Sequence, residues 1–366
     1  MTPQSGCQTG YRTLQSLRAV AALLVVYFHA VAQIRSSLGR PETSLPLFGA
    51  AGVDLFFVIS GFVMWTSTAG RKMSPLAFYG RRLARIVPLY WTLTLTACAI
   101  AITAPQLLRS TKFKLDHAIA SLFFVPWPNP GVPSGNLELT PVVIPGWTLN
   151  YEMFFYILFG AALLAAERHR PLLIAALIFL SILGSHLLSP VLTILRFYDS
   201  TMPIEFVAGV LIAVLVGRWS PSLGHVSTFA AIASLIALCL VEAFNLNVPR
   251  EFGLGPLAVL VIFAAVVGER AGTAPRVALL EHLGDASYSI YLIHIFIIAG
   301  LRVMILSLGL SISGPGGETL FVTAAIVSSA VIGIVVYRWF EVPSLRAGAR
   351  LMLLVKSVPA METGRS

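Results

Sequence analysis

Thr13–Ala32, TLQSLRAVAALLVVYFHAVA, decides how the chain is read. It is an apolar run of about the length that crosses a bilayer. It also carries two residues that a plain anchor does not need, Arg18 and His29. They stand eleven positions apart, which in a helix is about three turns, or ~16 Å along the axis. At ~100° per residue the same spacing returns both to nearly one face. A cation at one end and an imidazole deep in an apolar helix, on one stripe, point to one site reached along a channel. Ionisable groups inside a membrane are costly and usually functional. The plainer alternatives are a snorkelling interfacial Arg18 and a polar helix–helix contact at His29. Arg12, Arg18, the apolar run and Ala30-Val31-Ala32 also have the outline of a cleavable secretory signal. The rest of the chain is equally apolar, so a retained first span is the natural reading.

Working outward, the 366 residues are 57% hydrophobic and 11% charged, with mean hydropathy +0.84. Soluble domains carry about 25% charged residues, so this composition predicts an all-α, polytopic membrane helical bundle. Hydropathy predicts ten spans, over 14–34, 48–68, 82–104, 146–166, 171–189, 203–217, 225–244, 254–268, 286–309 and 319–340. Leu115–Val125 is apolar but too short to cross, and reads as a re-entrant or interfacial helix before PWPNPGVPSG. With the N-terminus inside, seventeen Lys and Arg fall on the inner side and seven on the outer. This excess places both termini in the cytoplasm and makes the protein an inner-membrane one. The net charge of +9 therefore bears on orientation and anionic lipid, and no nucleic-acid partner is expected. Residues 1–343 read as one membrane domain, and 344–366 as a basic, solvated cytoplasmic tail. Cys7, Cys98 and Cys239 are far apart, in no metal or redox spacing, and read as apolar fillers.

The polar residues inside the spans supply the chemistry. Asp54 enters the second span near its outer end, followed by Ser60-Gly61, whose expected role is close packing. Arg81, Arg82 and Arg85 stand where the third span leaves the cytoplasm, with Pro88 in its first turns. Arg82 and Arg85 are i,i+3 and share a face, and two guanidinium forks suit phosphate oxygens. Plain positive-inside topology is the alternative. The long outer loop ends at PGWTLNYEMFFY. There Trp147 is expected at the interface, with Asn150 and Glu152 following it inward. Ser287, Tyr291 and His294 fall on one stripe of the ninth span, where the Tyr291 hydroxyl is expected to bond His294. Arg338 and Glu341, at i,i+3, are expected to pair at the surface. The chain has no phosphate-binding or dinucleotide-binding glycine turn, no His-Glu-x-x-His, no Cys-x-x-Cys and no Gly-x-Ser-x-Gly. The first outer loop holds a single acid, Glu42, so no metal site is expected.

LQSLRAVAALLVVYFHA, GVDLFFVISGFVM, RRLARIVPLYW, PGWTLNYEMFFY, LGDASYSIYLIH and YRWFEVP resemble, in order, the blocks of the acyltransferase-3 family of membrane O-acyltransferases. PGWTLNYEMFFY is most similar to the exopolysaccharide-production acetyltransferases. The family opening more often reads Asp-Gly-Leu-Arg, where this chain has Gln15-Ser16-Leu17-Arg18. The resemblance implies about ten spans, acyl-CoA (acetyl-CoA) as co-substrate with no permanently bound cofactor, and a glycan or lipid-linked glycan hydroxyl as acceptor. It implies His29 as the catalytic residue, and Arg18, Arg82 and Arg85 on the donor side. Asp54, Trp147, Glu152, Tyr291 and His294 are candidates for holding the acceptor or orienting His29. His29 can serve as general base on the acceptor hydroxyl or carry the acyl group as an acyl-imidazole. A transporter of a polar or anionic solute and a non-catalytic subunit of a polysaccharide export assembly are the alternative functions.

Overall fold

A computed structural model describes residues 11–38, 45–107, 111–132, 138–216, 223–246, 248–310 and 312–357. Cys7, Arg40, Glu42, Arg109, Arg218, Arg365 and the tail beyond 357 lie outside the described residues. All regular structure among the described residues is helical. In chain order the helices are α1 Arg12–Leu38, α2 Gly52–Thr68, α3 Pro75–Thr103, α4 Leu115–Leu122 and α5 Trp147–Ala162. They continue with α6 Arg170–Leu188, α7 Met202–Leu215, α8 Gly224–Ala243 and α9 Leu254–Arg270. The last are α10 Ala278–Asp285, α11 Ser287–Ser307, α12 Pro315–Val336 and α13 Val342–Ser357.

Each predicted span falls on one helix, but not all are long. Six, α1, α3, α6, α8, α11 and α12, are long and apolar enough to cross a membrane, and the chain is a multipass membrane protein. The helices α2, α5, α7 and α9 have 17, 16, 14 and 17 residues, short of the ~20 that a straight crossing needs. Leu115–Val125 does hold a short helix, α4. Helix α3 starts seven residues before the predicted 82, because Ser74 caps it, accepting the Ala77 N–H at 3.2 Å, with Pro75 at the first helical position. Pro88 consequently lies mid-helix, not in the first turns. The segment after Glu341 is not simply solvated, because α13 packs along α3, with Gly80 facing Met352 and Gly348 facing Ala84.

Hydrogen bonds between distant segments fix which helix ends lie together. The N–H groups of Arg12 and Thr13, at the start of α1, donate to Glu269 at the end of α9 (2.6 and 2.9 Å). Gly70, after α2, donates to Glu167, before α6 (2.9 Å). At the other end, Gly49 and Ala51 donate to Glu242 at the end of α8 (2.7 and 3.1 Å). Glu269 and Glu242 meet N–H groups at a helix start, where the helix dipole also favours an anion.

Helix α1 is central, packed against α2, α9, α10, α11 and α12. Helices α2 and α7 cross by reciprocal glycines: a Cβ on Gly61 would lie 2.0 Å from the Phe206 carbonyl oxygen, and one on Gly209 would lie 2.0 Å from that of Val58. Close backbone approach of this kind drives association where lipid is as apolar as the side chains. Phe57, Phe155 and Phe206 fill the adjoining core, the last two stacked at 4.4 Å. Phe179 and Leu187 on α6, and Phe229 and Ile236 on α8, are exposed and form an apolar outer surface.

Candidate active site

A cavity of about 110 Å³ lies between α1, α2, α3, α5 and α11. Arg18, Arg82, Arg85, Glu152 and Tyr291 line it together, so five of the nine residues singled out from the sequence meet in one place. Three guanidiniums face one carboxylate there, an excess of positive charge suited to a polyanion. Arg82 is 9% exposed and donates to the Ser67 hydroxyl at 2.9 Å. Its guanidinium lies over the rings of Phe78 and Tyr156, at 5.5 and 5.7 Å, and these contacts fix its direction. Glu152 accepts the hydroxyls of Ser60 (2.8 Å) and Tyr156 (2.7 Å). Ser60, read from sequence as packing, is thus a cavity residue, while its neighbour Gly61 does the packing. Tyr156 was legible only as the i+4 neighbour of Glu152. Ser287 also lines the cavity, fully buried with no hydrogen-bond partner for its hydroxyl.

A latch of hydrogen bonds lines the inner end of the cavity. The hydroxyls of Tyr291 and Thr148 lie 2.9 Å apart, and both reach the Pro145 carbonyl, at 3.0 and 3.1 Å. This corrects the expectation that the Tyr291 hydroxyl bonds His294. In a helix the phenol extends sideways to the neighbouring element, and the Pro145 carbonyl, just before α5, is within its reach. The latch also places the start of α5. Tyr291 is sixteen residues before the end of α11, or ~24 Å along that helix. Trp147 stands half-buried against the helix core. It packs edge-on against Phe57 (6.5 Å) and Tyr151 (6.1 Å) and does not line the cavity.

His29 and His294 meet one turn beyond Tyr291. Their rings are 4.9 Å apart, with His294 Nε2 3.3 Å from His29 Nδ1. The backbone fixes both tautomers. His294 Nδ1 lies 2.6 Å from the Tyr291 carbonyl and His29 Nδ1 2.9 Å from that of Val25. A carbonyl only accepts, so each Nδ1 carries the hydrogen. His294 Nε2 is then a bare acceptor toward His29 Nδ1–H, and His29 Nε2 keeps its lone pair.

Asp54 is elsewhere. It is fully buried and paired with Arg250, whose Nε donates to it at 2.8 Å. The pair ties the segment before α9 to the start of α2, and Asp54 does not line the cavity. On the same side α4 clasps the segment leading to α5. Its His117 Nε2 donates to the Thr140 carbonyl (2.8 Å), and its Ser121 hydroxyl accepts the Val142 N–H (3.0 Å). Arg338 and Glu341 do not form the expected surface pair, for Arg338 is exposed while Glu341 is buried against Ser289.

Comparison with known proteins gives the family. The model of the acyltransferase-3 family, described as an acyltransferase domain, matches residues 11–338. The chain is 38% identical over 304 residues to the exopolysaccharide production protein ExoZ of Rhizobium meliloti (strain 1021), covering 82% of this chain and 90% of that one. It is 29% identical to the acyltransferase MdmB of Streptomyces mycarofaciens, covering 80% of each. It is also 29% identical to the O-acetyltransferase OatA of Staphylococcus aureus, over 40% of this chain and 23% of that one. No solved structure matches the chain. The chain belongs to the acyltransferase-3 family of membrane acyltransferases.

Proposed function

We propose that the protein is a membrane O-acyltransferase that moves an acyl group, acetyl in the simplest case, from cytosolic acyl-CoA to a hydroxyl of an exopolysaccharide or another glycan. One observation carries this reading: a cavity with an excess of guanidinium ends one helical turn from a paired histidine. Ten helices cross the inner membrane, with α4, α10 and α13 outside that count and both termini in the cytoplasm. Residues 1–343 act as one membrane domain, and 344–366 meet the anionic inner leaflet. Arg18, Arg82 and Arg85 receive the phosphates of the donor. At about 110 Å³ the cavity is a passage and not a chamber for a whole nucleotide. The nucleotide stays at the cytoplasmic mouth while the pantetheine arm threads inward past Ser60 and Glu152.

The thioester then reaches the histidine pair, where an acceptor hydroxyl arrives from the outer side. The bare Nε2 of His29 takes the hydroxyl proton as general base. The oxygen forms its bond to the thioester carbon, the C–S bond breaks, and the CoA thiolate takes the proton from the His29 imidazolium, which restores the neutral base. His294 Nε2, accepting from His29 Nδ1–H, holds the ring and stabilises the imidazolium as it forms, which makes His294 a positioning residue. The name of ExoZ points to an exopolysaccharide as acceptor, and that of OatA to O-acetyl transfer.

The test is transfer from labelled acyl-CoA to a glycan acceptor by the purified, detergent-solubilised protein. His29→Gln should abolish transfer while CoA binding persists, because an amide cannot take the proton. Near-normal turnover by His29→Gln would show that His29 only packs.

A further inference from the structure

Helix α12 does not pass smoothly into α13. Between them Tyr337–Glu341 form a π-helical turn. Such turns widen the helix by one residue and often mark functional positions. Here the turn breaks the i,i+3 spacing that would pair Arg338 with Glu341, and it carries Glu341 inward. Glu341 is 3% exposed, and its Oε2 accepts the hydroxyl of Ser289, itself fully buried, at 2.6 Å. Ser289 sits in the first turn of α11, directly after Ser287 and Tyr288, which line the cavity.

Neither Glu341 nor Ser289 lines that cavity, whereas Arg18 and Arg85 do. Both guanidiniums lie within electrostatic reach of the Glu341 carboxylate and also of each other. Two like charges facing one narrow passage repel, and low dielectric strengthens the repulsion. A fixed carboxylate behind them offsets it without occupying the ligand's place. Asp285, at the end of α10, and Glu152, on the opposite wall, also act on Arg18. Of these acids Glu341 alone has its carboxylate tied to the helix bearing Ser287.

We propose that Glu341, brought inward by the π turn and anchored by Ser289, is a positioning residue that holds Arg18 and Arg85 turned toward the donor's phosphates. The proposal rests on the reading of the cavity as the donor site. Its test separates donor binding from transfer. Equilibrium binding of CoA to the purified protein is measured beside steady-state donor KM and kcat for Glu341→Gln, Glu341→Asp, Ser289→Ala and Arg338→Ala. Glu341→Gln keeps the shape and an acceptor for Ser289 but loses the charge. It should raise donor KM and CoA Kd about tenfold, as the uncompensated guanidiniums repel and turn apart, with kcat within about twofold of the unaltered protein. Glu341→Asp should recover part of the affinity and Ser289→Ala should lose less of it. Arg338→Ala should change neither constant. An unaltered donor KM in Glu341→Gln, or a fall in kcat alone, would overturn the positioning role. Should Glu341→Gln not fold, an unchanged KM in Ser289→Ala would do the same. Absence of CoA binding in the unaltered protein would instead overturn the donor reading, and this one with it.

Discussion

Replacing His294 separates holding the base from being the base. The contact between His29 Nδ1–H and His294 Nε2 is 3.3 Å long, beyond the ~2.9–3.0 Å usual for such bonds. In the resting protein it therefore contributes little. When His29 takes the proton of the acceptor hydroxyl, its Nδ1–H becomes a cationic donor and the bond tightens. A hydrogen bond to a charged group is worth roughly 1.5–3 kcal/mol, which at ~1.4 kcal/mol per tenfold is about 10- to 150-fold in kcat. The Val25 carbonyl still fixes the His29 tautomer at 2.9 Å, so His294→Leu should retain more activity than His29→Gln, which loses the base itself. His294→Gln offers an amide oxygen as acceptor and should fall between the unaltered protein and His294→Leu. The assay is single-turnover transfer from labelled acetyl-CoA at saturating donor, which reads the chemical step without donor binding. Transfer by His294→Leu at the unaltered rate would refute the role of the pair. Equal rates for His294→Gln and His294→Leu would refute the argument from an acceptor at Nε2.

Arg82→Ala should raise donor KM about 10- to 150-fold, and Arg82→Lys should recover only part, since an ammonium cannot reproduce the guanidinium fork over Phe78 and Tyr156. Steady-state kinetics with varied acyl-CoA checks both. Asp54→Asn should lower thermal stability by about 3 kcal/mol, the lower end for a broken buried pair, because Arg250 is 28% exposed; its donor KM should stay unchanged, as Asp54 does not line the cavity. Burial pushes the His117 imidazole below its ordinary value of 6.5, so the folded state favours the neutral ring. The stability this gives is present above that value and is lost as pH falls through the lower folded value. Melting curves at about pH 7.5 and 5 should show an acid loss that His117→Gln reduces.

The sequence made the helices and the arginine-lined cavity legible for one reason: local rules hold where the backbone is regular. Apolar periodicity located every long helix. Arg18, His29 and Glu152 stood out because each is a lone ionisable group in an apolar run, and Arg82 and Arg85 face one cavity as their i,i+3 spacing requires. The misreadings gather where regularity breaks. The Ser74-Pro75 cap moved the start of α3. The segment ending at Pro145-Gly146 gave Tyr291 a carbonyl partner. The π turn at Tyr337–Glu341 undid an i,i+3 pair. A second group of misses has a different cause. Asp54 with Arg250, and Gly49 with Glu242, are 196 and 193 positions apart, and no local pattern encodes such pairs. Asp54 looked like a site residue because its partner lies outside any span and far along the chain. The histidine pair belongs partly to both groups. Each ring was visible as an ionisable group in a span, but their meeting depends on α1 and α11 lying side by side. That packing, together with the Val25 and Tyr291 carbonyls, leaves the lone pair of His29 on Nε2.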